Sequence, residues 1–485
     1  MFNRLSEPVK AQEHAARALE GYAALGARAG QAHALLCMAD ALRTGTPVQQ
    51  QEARRHAEAA LNLFEASRSP YNAARAFNYL AMIAGVQGER VAAAAFGEKA
   101  LAAARDAGNE VLQPLVLMNL GVTHEWLGNR AQAAGYYEQS YRRYEALGDQ
   151  AGAAQNLANR GALLITYGDP GAGVRDLQSA LAVSRQLGNK DFEAVCLELI
   201  AVYHLWSGRQ AEAERGLNQA RAVAQERGIE ERITSIAIKR ARLLFDRADY
   251  AGARDLLSRT LAGPISLAYA VDARMRLART HVRLGDFSAA DAALSRVDEA
   301  VTAETRLLPL FHLVRGELEF ESGRTSEARS HFARAAALAG DELADPASIE
   351  AQAYLGLIDG LAGRTAEGLR RVEAALTRAR GRLGVDARAR VVRARIDISR
   401  NRFDDALQAL AAIAPDTTET TIGRELRAHV HYWRAQALDG RGDRTAESEA
   451  RAARDLLSPL LSSLPVDDRP RFSSRPEIAR ILAAR

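Results

Sequence analysis

The side chains best suited to chemistry in this chain are amides and cations that recur at a fixed spacing. Asn159 lies 40 residues after Asn119, and Lys239 lies three such steps after Asn119. Arg276 follows Lys239 after 37 residues, where the spacing shortens. The sequence therefore predicts that these side chains occupy equivalent positions in successive structural units.

Five cations fall on two adjacent predicted helices: Lys239, Arg242, Arg276, Arg279 and Arg283. Separations of three and seven residues keep side chains on one helical face. Because arginine forks grip carboxylate and phosphate oxygens, this face is interpreted as a docking site. Its ligand would be an acidic peptide, a phosphorylated segment or a free carboxylate. Glu317 and Glu321 on the next helix would partly neutralise it, and a solvated face without function is the alternative.

Asn119 and Asn159 are the candidate peptide-gripping amides. A side-chain amide both donates and accepts hydrogen bonds, so it can hold a peptide backbone whatever the peptide's side chains are. Two exposed asparagines without a ligand are the alternative. Tyr79 and Leu199 occupy the equivalent positions before and after them. Only two successive units therefore carry an asparagine at this position.

Trp126 and Trp206 are two steps apart and are therefore equivalent. One role for them is packing between neighbouring units. The other is an aromatic platform in a binding groove.

The usual catalytic motifs are absent from the sequence. No Gly-Lys dipeptide occurs, so a Walker-type phosphate loop is excluded. Residues 236–239 resemble a kinase strand with its lysine, but no glycine-rich loop precedes them and no catalytic loop follows. His429 and His431 would point to different sides of a helix. We therefore expect no enzymatic activity, no cofactor and no metal site.

The composition describes a soluble, ordered chain. Of its 485 residues, 48% are hydrophobic and 26% are charged, with a net charge of +4. This excess of positive charge is too small to predict a basic surface that binds nucleic acid. No apolar run reaches the roughly 18 residues of a membrane span, and residues 1–10 lack a signal-peptide core. A cytoplasmic location follows as the expectation. Cys37 and Cys196 are expected to be two separate buried thiols.

The elements that position these residues are marked by two ladders of turn glycines. One ladder is Gly88, Gly128, Gly168 and Gly208, and the other is Gly108, Gly148, Gly188 and Gly228. A period of 40 residues is typical of stacked helical repeats. Glycine suits a left-handed turn just past a helix, and Ala248 and Asn401 replace it in later units.

A third ladder of small residues runs through the second helix of each pair: Ala53, Ala93, Ala133, Gly173, Ala213, Ala253, Ala290, Ala328, Gly368 and Ala406. Large apolar residues lie four positions later: Tyr137, Leu177, Leu217, Leu257, Leu294, Phe332, Val372 and Leu410. Together they predict the packing face of each second helix. Arg130, three residues before Ala133, is expected to be exposed.

The quoted residues resemble the tetratricopeptide repeat: Leu120, Gly121, Gly128, Ala133 and Tyr137. The 40-residue period is similar to the long variety found in kinesin light chains and in large bacterial signalling proteins. The resemblance covers residues 11–460, with departures at Ser140 and Arg160. It implies an all-α, right-handed superhelical solenoid of about eleven helical hairpins, whose first helices line an inner groove.

Four segments are predicted. Residues 1–28 form an unpaired helix or truncated repeat, 29–262 a regular array, 263–461 a shortened and more divergent array, and 462–485 a capping tail. The array loosens at Gly263 and Pro264. The tail pattern over residues 464–477 resembles the ends of repeat regions in multidomain bacterial serine/threonine kinases.

The function favoured by the sequence is a protein–protein interaction scaffold that binds a peptide or helical segment in the groove. One alternative is a sensor or docking region of a larger bacterial signalling enzyme, either a serine/threonine kinase or an ATPase-type regulator. Another is a peptide-sensing switch. The expected partner is a protein or peptide, with acidic ones included, and neither nucleic acid nor membrane.

Overall fold

The computed structural model describes residues 8–297, 305–338, 345–413 and 422–484. In the N-terminal part the α-helices are α1 (Pro8–Ala24), α2 (Arg28–Leu42), α3 (Pro47–Ala66), α4 (Pro70–Val86), α5 (Arg90–Asp106), α6 (Leu112–Trp126), α7 (Arg130–Ala146) and α8 (Gln150–Tyr167). They continue as α9 (Pro170–Gln186), α10 (Lys190–Trp206), α11 (Gln210–Glu226), α12 (Glu230–Asp246), α13 (Tyr250–Ala262), α14 (Leu267–Leu284) and α15 (Phe287–Ser295).

A 3₁₀ turn at Thr305–Leu307 precedes the remaining helices. These are α16 (Leu308–Glu321), α17 (Thr325–Ala337), α18 (Pro346–Leu361), α19 (Thr365–Arg378), α20 (Leu383–Ile398), α21 (Phe403–Ala411), α22 (Arg424–Gly440), α23 (Ala446–Ser463), α24 (Asp468–Ser474) and α25 (Pro476–Ala483). The described residues contain no strand. After α1 they form eleven successive hairpins, from α2–α3 to α22–α23. The predicted all-α helical solenoid is confirmed.

The chain divides into two compact units, which are described separately. The N-terminal unit ends at Arg160 and the C-terminal unit begins at Gly161. None of the described helices is both long and apolar enough to cross a bilayer.

The glycine ladders mark the helix ends as predicted, with one exception. Gly128 has φ 82°, and the amide of Asn129 donates to the His124 carbonyl at 2.8 Å, which closes the helix end. Ala248 takes the same left-handed conformation with φ 66°, and Asn401 does so with φ 58°. Gly168 does not appear among the glycines with positive φ.

The small-residue ladder lies at the closest helix contacts. Ala133 is fully buried. A Cβ atom on Gly173 would lie 2.6 Å from the carbonyl oxygen of Gly161 on the paired helix. The large residues four positions later, Tyr137 and Leu177 among them, are buried as well. Since contacts this short leave no room for a larger side chain, the predicted packing face is confirmed.

Two expectations about burial are wrong. Cys37 is exposed, because one face of α2 is not covered by a neighbouring helix, whereas Cys196 is buried. Arg130 is only 6% exposed. Its equivalent Arg90 shows how such a residue packs: its Cζ lies 4.1 Å from the centroid of the Trp126 ring.

The C-terminal unit closes on itself through contacts between residues far apart in sequence. Arg382 donates hydrogen bonds to the carbonyl oxygens of Thr166 at 2.9 Å and Gly168 at 3.0 Å. The backbone of Gly423 approaches that of Asp246 so closely that a Cβ atom would lie 2.3 Å from the Asp246 carbonyl oxygen. The inner faces of helices from α10 to α22 therefore surround a common interior.

The predicted capping tail, as far as residue 484, packs within this closed unit. Phe472 is fully buried beside Tyr250 and Leu284, which belong to hairpins early in the unit. Asp468 forms an ion pair with Arg254 at 2.7 Å. The tail therefore contacts these early hairpins as well as the last one.

Candidate binding site

Two adjoining cavities lie in the interior of the C-terminal unit. Cavity A has a volume of about 130 Å³ and cavity B of about 160 Å³. They share six wall residues: Trp206, Arg242, Phe245, Asp246, Glu350 and Arg388. These residues come from the first helices α10, α12, α18 and α20, which agrees with the expectation that first helices line the interior.

Arg242 forms the wall between the two cavities. Its guanidinium packs over the Trp206 ring, with Cζ 3.4 Å from the ring centroid. Its nearest carboxylate is Asp246, at 3.5 Å from Nε, which is long for a hydrogen bond. Burial lowers the pKa of Arg242 to about 10; Asp246 opposes that shift and the nearby Arg276 reinforces it. The side chain remains a cation at neutral pH.

Arg279 and Arg283 are tied to carboxylates. Arg279 grips Glu317 with two hydrogen bonds of 2.8 and 2.9 Å, and Arg283 donates to the same carboxylate at 2.7 Å. Burial alone would lower the pKa of Arg279, but Glu317 and then Glu350 raise it. Such bidentate pairs fix the guanidinium in place.

Glu350 is a buried carboxylate shared by two arginines. Arg388 donates to it at 2.9 Å, and Arg279 contacts its other oxygen. Burial would raise the pKa of Glu350, but Arg279 and Arg388 lower it to about 2. Glu350 is therefore ionised and holds α14, α18 and α20 together at the cavity wall.

Four of the five predicted cations lie at the two cavities. Arg242 lines both, Arg283 lines cavity A, and Arg276 and Arg279 line cavity B. Arg276 pairs with Asp272 at 2.9 Å on its own helix. Lys239 lines neither cavity and binds the buried Glu198 at 2.6 Å. Of the two predicted acidic neighbours, Glu317 neutralises Arg279 and Arg283, and Glu321 lies 3.8 Å from Arg283.

The two asparagines belong to the N-terminal unit. Asn119 is half-buried and donates from Nδ2 to the Oδ1 atom of Asn78 at 3.0 Å. By the 40-residue period Tyr79 is the residue equivalent to Asn119, so the partner Asn78 lies one position before that equivalent residue. Asn159 is half-buried.

Sequence reasoning missed Arg388 and Glu350, and it missed the inward contacts of the tail. Arg475 is 1% exposed and donates to the Arg283 carbonyl at 2.9 Å and to Glu425 at 3.0 Å. Glu477 lines cavity A and lies 2.9 Å from His429. The sequence feature that could have indicated these contacts is the run Arg475, Pro476 and Glu477, which follows the buried Phe472. Among the described residues no group of three metal-ligating side chains converges.

The closed stack of hairpins defines the class of the chain as a helical-repeat protein. No protein-family model and no curated protein matches its sequence. Solved structures with a similar course of the backbone include BtubC (BKLC) from P. vanneervenii, at 18% identity and a TM-score of 0.41, over 46% of this chain and 92% of that one.

Two IFIT1 structures are also similar: a monomeric mutant with Gppp-AAAA, and the human dimer with m7Gppp-AAAA. Each is 13% identical and covers 88% of this chain and 90% of its own, with TM-scores of 0.43 and 0.44. At these scores the likeness carries no argument about a ligand, so the site must be interpreted from its own geometry.

Proposed function

We propose that this chain is a non-catalytic binding protein of the tetratricopeptide type, which receives an acidic protein segment in the interior of its C-terminal unit. The observation that carries the proposal is the arginine-lined cavity pair. Guanidinium groups from α12, α14 and α20 meet there beside Trp206 and Phe245. Arginine and aromatic side chains are the groups that anchor most protein–protein contacts.

The arrangement is suited to holding a ligand rather than to transforming one. A guanidinium stays protonated through any ordinary reaction, so it neither takes up nor releases a proton at neutral pH. Among the described residues His429 faces two carboxylates, those of Glu477 and Glu425, and no nucleophile. Saturable ATP binding that one substitution abolishes would contradict the non-catalytic role.

The test is capture of a partner with the full-length chain, followed by mass spectrometry and affinity measurements. Arg276→Glu reverses a charge at cavity B, where the side chain is partly accessible. Arg274→Glu, two residues earlier on α14, is the matched control because Arg274 does not line either cavity. We expect the first variant to weaken binding at least tenfold and the second to leave it unchanged.

Salt and nuclease treatment complete the test. Partner binding should weaken as the ionic strength rises, since the Arg276 side chain is partly accessible and its charge contacts are screened by salt. Nuclease treatment should not release the partner. Binding that is indifferent both to Arg276→Glu and to salt would contradict the proposal, and a partner released by nuclease would point to nucleic acid instead.

The same site would also serve a docking region within a bacterial signalling protein, with a kinase or an ATPase-type regulator as its partner domain. The observation behind this narrower role is the tail, whose sequence resembles the ends of kinase repeat regions and whose Arg475 and Phe472 are buried within the unit. Identification of the captured partner decides it. A partner that belongs to neither enzyme class would exclude the signalling role and leave the binding function standing.

A further inference from the structure

We propose that Arg242 and Trp206 form a carboxylate-binding site at the wall shared by cavities A and B. The inference names the chemical group that the interior receives, and in this sense it rests on the proposed function. It adds a specific anchor residue and a specific ligand charge.

Arg242 differs from the other arginines of the site in how it is neutralised. Arg276, Arg279 and Arg388 each have a carboxylate oxygen within 2.9 Å. The carboxylate nearest to Arg242 lies at 3.5 Å and meets only its Nε atom. The outer edge of this guanidinium is the part that grips a carboxylate with two parallel hydrogen bonds. Arg242 is therefore the cation best placed to receive an anion.

Trp206 supplies a second donor at the same wall. Its Nε1 atom is buried and has no hydrogen-bond partner in the protein. A buried donor left without a partner is costly, so a ligand oxygen that accepts from it is favoured. Because the Arg242 guanidinium stacks on the same indole ring, the two donors belong to one rigid pair and would act on one ligand group.

The charge balance of cavity B favours a monoanion over a dianion. Cavity B is lined by five arginines and three acidic residues. Two of those arginines are neutralised from outside the wall, Arg279 by Glu317 and Arg276 by Asp272. The other three arginines are matched in number by the three acidic residues, and an unbalanced buried charge carries a large desolvation cost. A carboxylate adds one negative charge and a phosphate dianion adds two, so the singly charged group is favoured.

The size of the site limits what accompanies the carboxylate. An engineered apolar cavity of about 150 Å³ holds benzene, so cavity B, at about 160 Å³, admits a group of roughly that size. Phe245 and Tyr167 line it and offer apolar contact. The ligand group is therefore a carboxylate with one compact apolar group attached, whether from a small acid or from the end of a peptide.

The test uses three probes on the full-length chain, by isothermal titration calorimetry at constant ionic strength. Benzoate carries one negative charge, benzamide is its neutral analogue, and phenyl phosphate is a dianion. We expect benzoate to bind at least tenfold more tightly than either of the others. Equal binding of benzamide would overturn the role of the charge, and tighter binding of phenyl phosphate would overturn the choice of a monoanion. This comparison needs no variant, so it stands even where a substitution impairs folding.

Variants then locate the site. Arg242→Met should reduce benzoate affinity at least tenfold, while Arg240→Met, two residues earlier on α12 and outside both cavities, should not change it. Trp206→Phe keeps an aromatic ring and removes the N–H donor, so a loss of about tenfold is expected. Equal effects of Arg242→Met and Arg240→Met, or an unchanged affinity in Trp206→Phe, would refute the assignment.

A peptide pair separates the two sources of the carboxylate. The same short peptide with a free or an amidated C-terminus should differ in affinity if a chain end is the ligand, and binding of benzoate alone would assign the site to small acids. The outcome is distinguishable from failure of the proposed function. If Arg276→Glu weakens partner capture while benzoate does not bind, this inference fails and the binding function stands. If benzoate binds but no partner is captured, the carboxylate site stands and the proposed binding of a protein segment fails.

Discussion

Replacing Gly121 by alanine should not stabilise the N-terminal unit, although alanine is the better helix former. Gly121 lies inside α6, and a Cβ atom there would lie 2.5 Å from Cε1 of Tyr137. That ring is 1% exposed, and its hydroxyl donates to Glu125 at 3.1 Å. The ring therefore has little room to move away from an added methyl group.

In other hairpins a residue of the first helix likewise faces the residue sixteen positions later on the second helix, as Gly121 faces Tyr137. Gly316 faces Phe332, and a Cβ atom there would lie 2.5 Å from the ring. Where the later residue is leucine, the earlier one is often alanine, as in Ala201–Leu217, Ala241–Leu257, Ala278–Leu294 and Ala394–Leu410. An aromatic ring thus requires glycine opposite it, whereas leucine leaves room for a methyl group.

The magnitude follows from two opposing effects. Glycine to alanine inside a helix gains up to about 1 kcal/mol, and overpacking a tight contact costs about 1–3 kcal/mol. Gly121→Ala should therefore be neutral or destabilising by up to about 2 kcal/mol. Gly135, inside α7 of the same unit, has nothing within 4 Å of an added Cβ, so Gly135→Ala should gain up to about 1 kcal/mol.

The assay is urea unfolding of the full chain, with native-state hydrogen exchange of peptides from residues 112–146. Exchange resolves the local free energy of opening where the two units do not unfold together. The double variant Gly121→Ala/Tyr137→Leu should recover stability relative to the sum of its single changes, because leucine leaves room for the methyl group. If Gly121→Ala and Gly135→Ala shift stability equally and in the same direction, the packing argument is refuted.

Three further predictions address the closed unit and the thiols. Arg382→Met should destabilise the unit by about 1–3 kcal/mol, because the partly buried carbonyl oxygens of Thr166 and Gly168 lose their donor. Hydrogen exchange near residues 160–170 should accelerate, and unchanged exchange would mean that Arg382 does not hold the closure. Burial would raise the pKa of Glu425, but Arg475 and then Arg283 lower it from its ordinary 4.5 to about 2. This stabilisation is fully present above pH 4.5 and is lost as the pH falls towards 2; the urea midpoint should fall over that range, and less steeply in Glu425→Gln. Cys37 should react with a thiol reagent in the native state while Cys196 should not, since burial raises the Cys196 pKa to about 12; fast labelling of both would show that α10 opens.

The repeat architecture was predictable because each unit obeys local rules. Left-handed turns need glycine or a tolerated substitute, and close helix pairs need a small residue such as Ala133 at the contact. Both constraints recur along the sequence, so periodicity alone locates the hairpins. Arg130 was misjudged because its charge suggested exposure, although the equivalent Pro170, Gln210 and Tyr250 are also buried.

The closure of the C-terminal unit was not predictable in the same way. Small differences in packing at each hairpin add along a solenoid, and their sum decides whether residue 382 meets residue 166. No local pattern encodes this sum. Arg388 and Glu350 were missed for this reason, since they reach the site only when distant hairpins meet around the interior.

The periodicity places five cations at related positions, four of which line the two cavities, but periodicity cannot divide them by role. A carboxylate stabilises a buried guanidinium, and that carboxylate can come from a hairpin far along the chain. Glu350 and Glu317 immobilise Arg279 in this way, which makes it part of the framework. Arg242 instead packs over the Trp206 ring, and its nearest carboxylate lies at 3.5 Å. The structure thus separates the predicted cations into those gripped by carboxylates and Arg242, whose guanidinium is stacked on an aromatic ring.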